Sequence, residues 1–377
     1  MKRIYLDYAA ATPVDERVKE AMEPFWSENF GNPGGLHEEG VKAKQAVEEA
    51  RKKIARELGV KAEEIIFTAS GTESCNLAIL GAARQYQARG KHLITSRIEH
   101  QAVLQPFKLL EREGFEVTYL GVGAEGIVSP EELLRALRPD TILASVMYAN
   151  NEIGTIQPLY EIGKILKEHQ AYFHTDACQA VGYLNLNPNN LGADLMSFSG
   201  YKFYGPKGIG FLYKARNVLL EPPVVGGEQE FGLRPGTENV AAIVGMAKAL
   251  ELSKFSAEEL SGLKKLRDYF IDEILEKIPE AALNGERLRR LPTNVNISFK
   301  NVDNEELVLR LDAAGVAVAT GSACRREASG PSHVITALGR EPEYAAGAIR
   351  FSFGRRTTKA ELDYVLAVLP EIIARLK

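Results

Sequence analysis

Only three cysteines occur in 377 residues, Cys75, Cys178 and Cys324, far apart and odd in number. That excludes a disulfide framework, and the lack of any Cys-x-x-Cys pair removes the usual sign of a zinc or iron-sulfur site. Unpaired thiols fit a reducing compartment, so a cytoplasmic location is expected. An excess of one charge is lacking too: 46 Lys+Arg stand against 50 Asp+Glu, for a formal net charge of -4. With no global field to gather nucleic acid or an anionic membrane, neither is expected as a partner. Long apolar runs are also missing. The opening stretch MKRIYLDYAAATP carries Asp7 inside its apolar part, and nothing later approaches the ~18 uninterrupted apolar residues of a membrane span. Neither a signal peptide nor a span is expected.

What is present is an ordinary globular composition, 45% hydrophobic and 25% charged, which excludes a disordered or fibrous chain. At roughly 150 residues per domain the length predicts two domains. The apolar spacing of VKAKQAVEEARKKIARELG predicts a helix from about Glu38 to Leu58, closed by Gly59. Seven strand-length apolar runs then alternate with helical segments: EEIIFTAS, KHLITSRIEH, FEVTYLG, TILASVMYAN, AYFHTDA, ADLMSFSG and GIGFLYK. That alternation predicts an α/β fold, with a mostly parallel seven-stranded sheet flanked by helices. Residues 240–278 read as helix, with Ser256 and Glu259 in capping-box spacing inside it. We place the seam near 252–256, giving a large domain over 14–254. A smaller α+β domain then takes 1–13 with 255–377, its strands NVNISFK, VAVATGSA and AIRFSFG separated by helices near 305–313 and 332–338 and followed by a long helix from Lys359.

In a parallel α/β sheet ligands sit beyond the carboxyl ends of the strands, so the residues there carry the chemistry. After the first run come Gly71 and Thr72 at a helix start, suited to a phosphate, although Ser70 or Thr72 as a plain helix cap explains the same residues. His100 follows the second run, Asn150 and Asn151 the fourth, Asp176 and Gln179 the fifth, and Ser197, Ser199, Tyr201 and Lys202 close the sixth. Singly these read as a surface histidine, a turn and a helix cap; together they describe one crevice. A carboxylate after one apolar strand and a lysine after the next fit pyridoxal phosphate. That cofactor needs an amine for its Schiff base and an acid to keep its ring nitrogen protonated. Ser199 and Gly200 beside Lys202 favour it over Lys207 in GPKGIG.

The chain resembles the cysteine desulfurases of the NifS/IscS type, within the class V aminotransferase superfamily of fold-type I pyridoxal phosphate enzymes. The resemblance rests on YLDYAAATPVD, FGNP, FTASGTESCNLAI, TSRIEHQAVL, MYANNEIGTIQP, HTDACQAVG, DLMSFSGYKFYGPKGIG, RPGTENVAAIVG, ATGSAC and IRFSFGRRTT, in family order across essentially the whole chain. It implies pyridoxal 5'-phosphate on Lys202, Asp176 at the pyridinium nitrogen, and His100 stacked over the ring as a catalytic proton relay. Asn151 and Gln179 are implied at the ring substituents, and Gly71, Thr72, Ser199 and Tyr201 at the phosphate. Thr237 of a partner subunit is implied there too, which makes a homodimer the expected unit. Arg350 is implied at the carboxylate of the substrate L-cysteine, with Asn151 beside it. Cys324 is implied as the sulfur acceptor that forms a persulfide, passed on to a scaffold or carrier protein for iron-sulfur cluster assembly or RNA thiolation. The sequence departs from the family in Tyr201, where a histidine usually precedes the lysine, and in CRREASGPS after the thiol. The other class V reading is a selenocysteine lyase or small-substrate aminotransferase. Cys75 and Cys178 read as packing residues.

Overall fold

The computed structural model describes residues 3–321 and 330–376. The helix Glu38–Leu58 forms with the expected bounds: Gly59 takes a left-handed φ of 70° and its N–H returns to the carbonyls of Ala55 and Arg56. Its buried residues Ala43, Val47, Ala50, Ile54 and Leu58 recur at helical spacing and share an apolar core with Ala242 and Met246 of the helix Val240–Leu252.

The first strand, β1 (Ile4–Tyr5), is remote from the central sheet. That sheet is built from β2 (Ile65–Thr68), β3 (His92–Ser96), β4 (Glu116–Leu120), β5 (Thr141–Ser145), β6 (Tyr172–Asp176), β7 (Leu195–Ser199) and β8 (Gly210–Lys214). All seven coincide with the apolar runs. Their order is β2-β8-β7-β6-β5-β3-β4, with β8 antiparallel to both neighbours and every other pair parallel. β2, β3, β5, β6 and β7 therefore end on the same side. Both faces of the sheet are apolar except at the edge strand β4, which is why the inner strands read as continuous runs and β4 does not.

A second core lies beyond, around β9 (Ala281–Leu283), β10 (Asn294–Phe299), β11 (Val316–Ala317) and β12 (Ala348–Ser352). The antiparallel order β12-β10-β9 is covered by helices Ala257–Lys277, Asn304–Ala313 and Lys359–Ala374. Phe270, Phe299, Phe351 and Phe353 fill this core, together with Ile4 and Leu6, because β1 pairs in parallel with β11.

Three local readings change. Residues 240–278 are two helices, Val240–Leu252 and Ala257–Lys277, and the Ser256–Glu259 capping box opens the second instead of lying inside one. Of the run VAVATGSA, the described residues 316–321 form a strand at Val316–Ala317, where β1 supplies two residues to pair with, and an isolated bridge from Ala319 to Arg350. The three-residue strand β9 gave no sequence signal, being too short for its period to show.

Candidate active site

The strand ends enclose one cavity of about 750 Å³, mouth included, lined by Ser70, Gly71, Thr72, His100, Met147, Asn151, Asp176, Cys178, Gln179, Ser199, Tyr201, Lys202 and Arg350, with Ala9, Ala10, Ala102 and Ala149. Ten residues picked from the sequence are brought together here: Gly71, Thr72, His100, Asn151, Asp176, Gln179, Ser199, Tyr201, Lys202 and Arg350. Thr237 is exposed and does not line the cavity of its own chain. Cys324 lies outside the described residues. Lys207 is exposed and away from the cavity.

Ser70 and His100 are helix caps and site residues at once, whereas Asp176, read from the sequence as a helix cap, is followed by turns and opens no helix. Ser70 Oγ accepts from the Glu73 N–H at 3.1 Å and opens the helix Gly71–Tyr86, so the first peptide groups of that helix face the cavity. His100 Nδ1 accepts from the Ala102 N–H at 3.1 Å, which leaves Nε2 as the nitrogen that can donate. Asp176 Oδ1 accepts from the Cys178 N–H at 2.9 Å, fixing the carboxylate at the end of β6. The cap and site readings do not compete, because a strand-to-helix turn presents its capping side chain where the sheet presents its ligands.

Beneath Asp176 lies a buried polar floor. His174 is enclosed between Ser145 Oγ, 2.8 Å from Nδ1, and Ser197 Oγ, 2.9 Å from Nε2. Burial lowers its pKa to about 4, against a smaller opposing pull from Asp176, so the ring is neutral at neutral pH. Glu99 is fully buried; its Oε1 accepts from Ser96 Oγ at 2.6 Å and the Met147 N–H at 2.9 Å. Burial raises its pKa to about 8, opposed by those two hydrogen bonds, so it is largely protonated at neutral pH. Burial also pushes the Cys75 and Cys178 thiols well up. Cys75 is core, as its apolar setting suggested. Cys178 instead lines the cavity, and a Cβ on Gly71 would come within 2.6 Å of its sulfur.

The opposite wall comes from the chain's beginning and end. Lys202 sits in the short turn Gly200–Lys202, and its Nζ donates to the carbonyls of Ala9 at 2.7 Å and Ala10 at 2.9 Å. Gln179 Nε2 donates to the same Ala9 carbonyl at 3.0 Å. Thr12 fastens this segment down, donating through Oγ1 to the Tyr201 carbonyl at 2.8 Å while accepting from the Tyr204 N–H at 2.7 Å. Arg350, 2% exposed on β12, donates to Asp7 Oδ1 at 2.7 Å and to the Asn151 carbonyl at 3.0 Å, while its buried Nε has no hydrogen-bond partner among the described residues. Asp7, Glu99, His174 and Cys178 were not picked from the sequence as site residues. Only Asp7 left a signal there, as a charge interrupting an apolar stretch. Asn150 and Ser197 are structural: Asn150 bridges its own turn and Ser197 holds His174.

The residues present fit pyridoxal phosphate. Ser199 Oγ is buried, faces the cavity and has no hydrogen-bond partner in the described structure, next to helix N–H groups suited to an anion. Asp176 and Lys202 line the same space from successive strands. Among the described residues no cluster of three or more His, Cys, Asp or Glu is placed to hold a metal, and no helix is long and apolar enough to cross a membrane.

Similarity to known proteins agrees. The cysteine desulfurase IscS of Dictyoglomus turgidum is 52% identical over all of this chain and 96% of that protein. That of Methanosarcina thermophila is 51% identical over all of this chain and 93% of its own. Among solved structures, a NifS-like protein superposes with a TM-score of 0.93 at 38% identity, covering 99% of this chain and 100% of that one. A structure described as SspA in complex with cysteine gives 0.83 at 38% identity, covering 94% and 100%. With residues 4–365 matching the aminotransferase class-V family, the chain belongs to that family and to its cysteine desulfurases of the NifS/IscS type.

Proposed function

We infer that the protein is a pyridoxal 5'-phosphate-dependent cysteine desulfurase. Sulfur leaves L-cysteine for a thiol of the enzyme, an S–S bond forming as the Cβ–S bond breaks. L-alanine and an enzyme persulfide are the products, and no outside oxidant is required. The observation that carries this reading is the single cavity in which Asp176, Lys202 and the unpartnered Ser199 hydroxyl meet, in a chain whose full-length relatives are cysteine desulfurases.

Bound there, pyridoxal phosphate supplies an aldehyde that condenses with amines and a protonated ring that withdraws electrons from the substrate's Cα. Asp176 is assigned to the ring nitrogen, where its charge keeps the proton in place. Its neighbours Glu99 and His174 carry little charge at neutral pH and so compete little for that role. Lys202 would hold the group through its amine, and that amine would take the Cα proton and return one to carbon. The Ala9 and Ala10 carbonyls keep that amine at the cavity wall. His100 would sit beside the ring and carry protons at Nε2, while Asn151 and Gln179 would bond the ring's substituents. Gly71, Thr72, Ser199 and Tyr201 take the phosphate, joined by Thr237 of a second subunit in a homodimer. Arg350 binds the substrate carboxylate, work suited to a planar guanidinium.

Cys324 is assigned as the persulfide thiol, with Arg325 and Arg326 following it in sequence to favour thiolate. The sulfur then passes to a scaffold or carrier protein for iron-sulfur cluster assembly or RNA thiolation in the cytoplasm. The division into residues 14–254 and 1–13 with 255–377 matches this plan, one part holding the cofactor and the other bringing Arg350 and the thiol. Alanine and sulfide released from L-cysteine under reductant test the activity. Product formation undiminished in Lys202→Ala contradicts it.

A further inference from the structure

The turn that presents Asn151 has a second task. Asn150 Oδ1 accepts from the N–H groups of Glu152 at 2.8 Å and Ile153 at 2.9 Å, which fixes the turn from within. The Glu152 carbonyl accepts from Asn294 Nδ2 at 3.2 Å and Asn296 Nδ2 at 3.1 Å, which fixes it to β10. Gly154 completes the bend at φ 74°, where a Cβ would fall 2.7 Å from the Asn294 side chain.

Glu152 is 1% exposed and does not line the cavity. Its Oε2 accepts from Ser332 Oγ at 2.5 Å. The same oxygen lies 2.8 Å from where a Cβ on Gly321 would sit, and Gly321 has φ 149°. One buried carboxylate thus meets a residue before Cys324 and a residue after it. The approach on the Gly321 side is also tied to the substrate-binding edge, because Ala319 and Arg350 exchange backbone hydrogen bonds at 2.7 and 3.2 Å. On the other side Ser332 caps the helix His333–Ala337, accepting from the Val334 N–H at 3.1 Å, and His333 Nε2 lies 2.9 Å from the Glu99 carbonyl. Burying a carboxylate is costly unless its contacts need it.

We propose that Glu152 is a positioning residue for sulfur transfer, holding Gly321 and Ser332 at a set distance from the Asn151–Arg350 edge of the cavity and so registering the segment that bears Cys324. The proposal rests on the desulfurase reading. It assigns Glu152 no part in the Cα chemistry, and two rates separate these roles in the holoenzyme. Deuterium exchange at Cα of L-alanine in heavy water needs Lys202 and no thiol. Single-turnover persulfide formation on Cys324 from L-cysteine needs both.

Glu152→Ala is expected to slow persulfide formation about tenfold or more while exchange stays within about twofold, since misplacement of a reacting group costs rate steeply. Glu152→Gln, which keeps an oxygen for Ser332, is expected to restore most of the rate. Gly321→Ala, which drives a methyl against Oε2, is expected to give the same split without touching the turn, and it serves where Glu152→Ala fails to fold. If both rates fall together, or neither falls, in whichever of these variants folds, the proposal is wrong. The desulfurase reading fails separately: it fails if Cys324→Ala releases sulfide from cysteine at the wild-type rate.

Discussion

The floor and the rim of the cavity are built on different principles. The floor is made by consecutive strands: Asp176 on β6 stands over His174, Ser145 and Ser197, with Glu99 alongside, all buried and bonded to near neighbours in the sheet. The rim is made by partners remote in sequence, Asp7 with Arg350, Ala9 and Ala10 with Lys202, and Glu152 with Ser332. The floor fixes protonation states through burial, whereas the rim fixes where substrate groups sit. Damage to the floor should therefore appear in turnover and in pH dependence, and damage to the rim in substrate affinity and register.

The sharpest break in that comparison is Asp176→Ala. Without a carboxylate at the ring nitrogen, kcat for alanine formation is expected to fall by about a thousandfold, with a much smaller change in KM. Arg350→Lys probes the rim: a point charge replaces a two-pronged donor, and KM for cysteine is expected to rise by about a hundredfold with kcat less affected. Asp7→Asn, which removes the charge that aligns Arg350, should act in the same direction at about tenfold. Steady-state kinetics at several cysteine concentrations read all three. Asp176→Ala acting mainly on KM, or Arg350→Lys and Asp7→Asn acting mainly on kcat, undoes the distinction between the cofactor side and the carboxylate-binding side of the cavity.

The floor also makes a smaller prediction about stability. Glu99 has a raised pKa in the folded protein, so its contribution is fully present below its ordinary value of 4.5 and lost as pH climbs to about 8. Glu99→Gln should therefore gain stability over wild type by up to a few kcal/mol near pH 8, with the gain shrinking toward pH 4.5. His174 has a lowered pKa, so its contribution is present above 6.5 and lost as pH falls toward about 4. His174→Gln should accordingly lose less stability than wild type across that acid window. Urea unfolding across pH reads both, and parallel wild-type and variant curves contradict them.

This contrast also explains what could be read from the chain alone. The central strands and the site residues at their ends were legible, because the inner strands, buried on both faces, are short apolar runs and the turns after β2, β3, β5, β6 and β7 carry their polar residues next in sequence. His100, Asn151, Asp176 and Lys202 were found that way. The pairings of the rim were not legible, since the Asp7–Arg350 pair joins residues 343 positions apart and no local pattern encodes it. Glu99 and His174 were passed over because each sits beside a more conspicuous residue, and only burial distinguishes them. Likewise, the break in the helical stretch 240–278 was hidden by residues that continue the pattern, although its capping box was in plain view.

The central claim is that sulfur from cysteine comes to rest on the protein's own thiol. The direct measurement is mass spectrometry of the holoenzyme after brief exposure to L-cysteine without reductant, with the added mass located by peptide mapping. The account predicts about 32 Da, one sulfur atom, on the peptide containing Cys324, removed again by reductant. Alanine released with no added mass on that peptide, or with the mass on Cys75 or Cys178 instead, would contradict it.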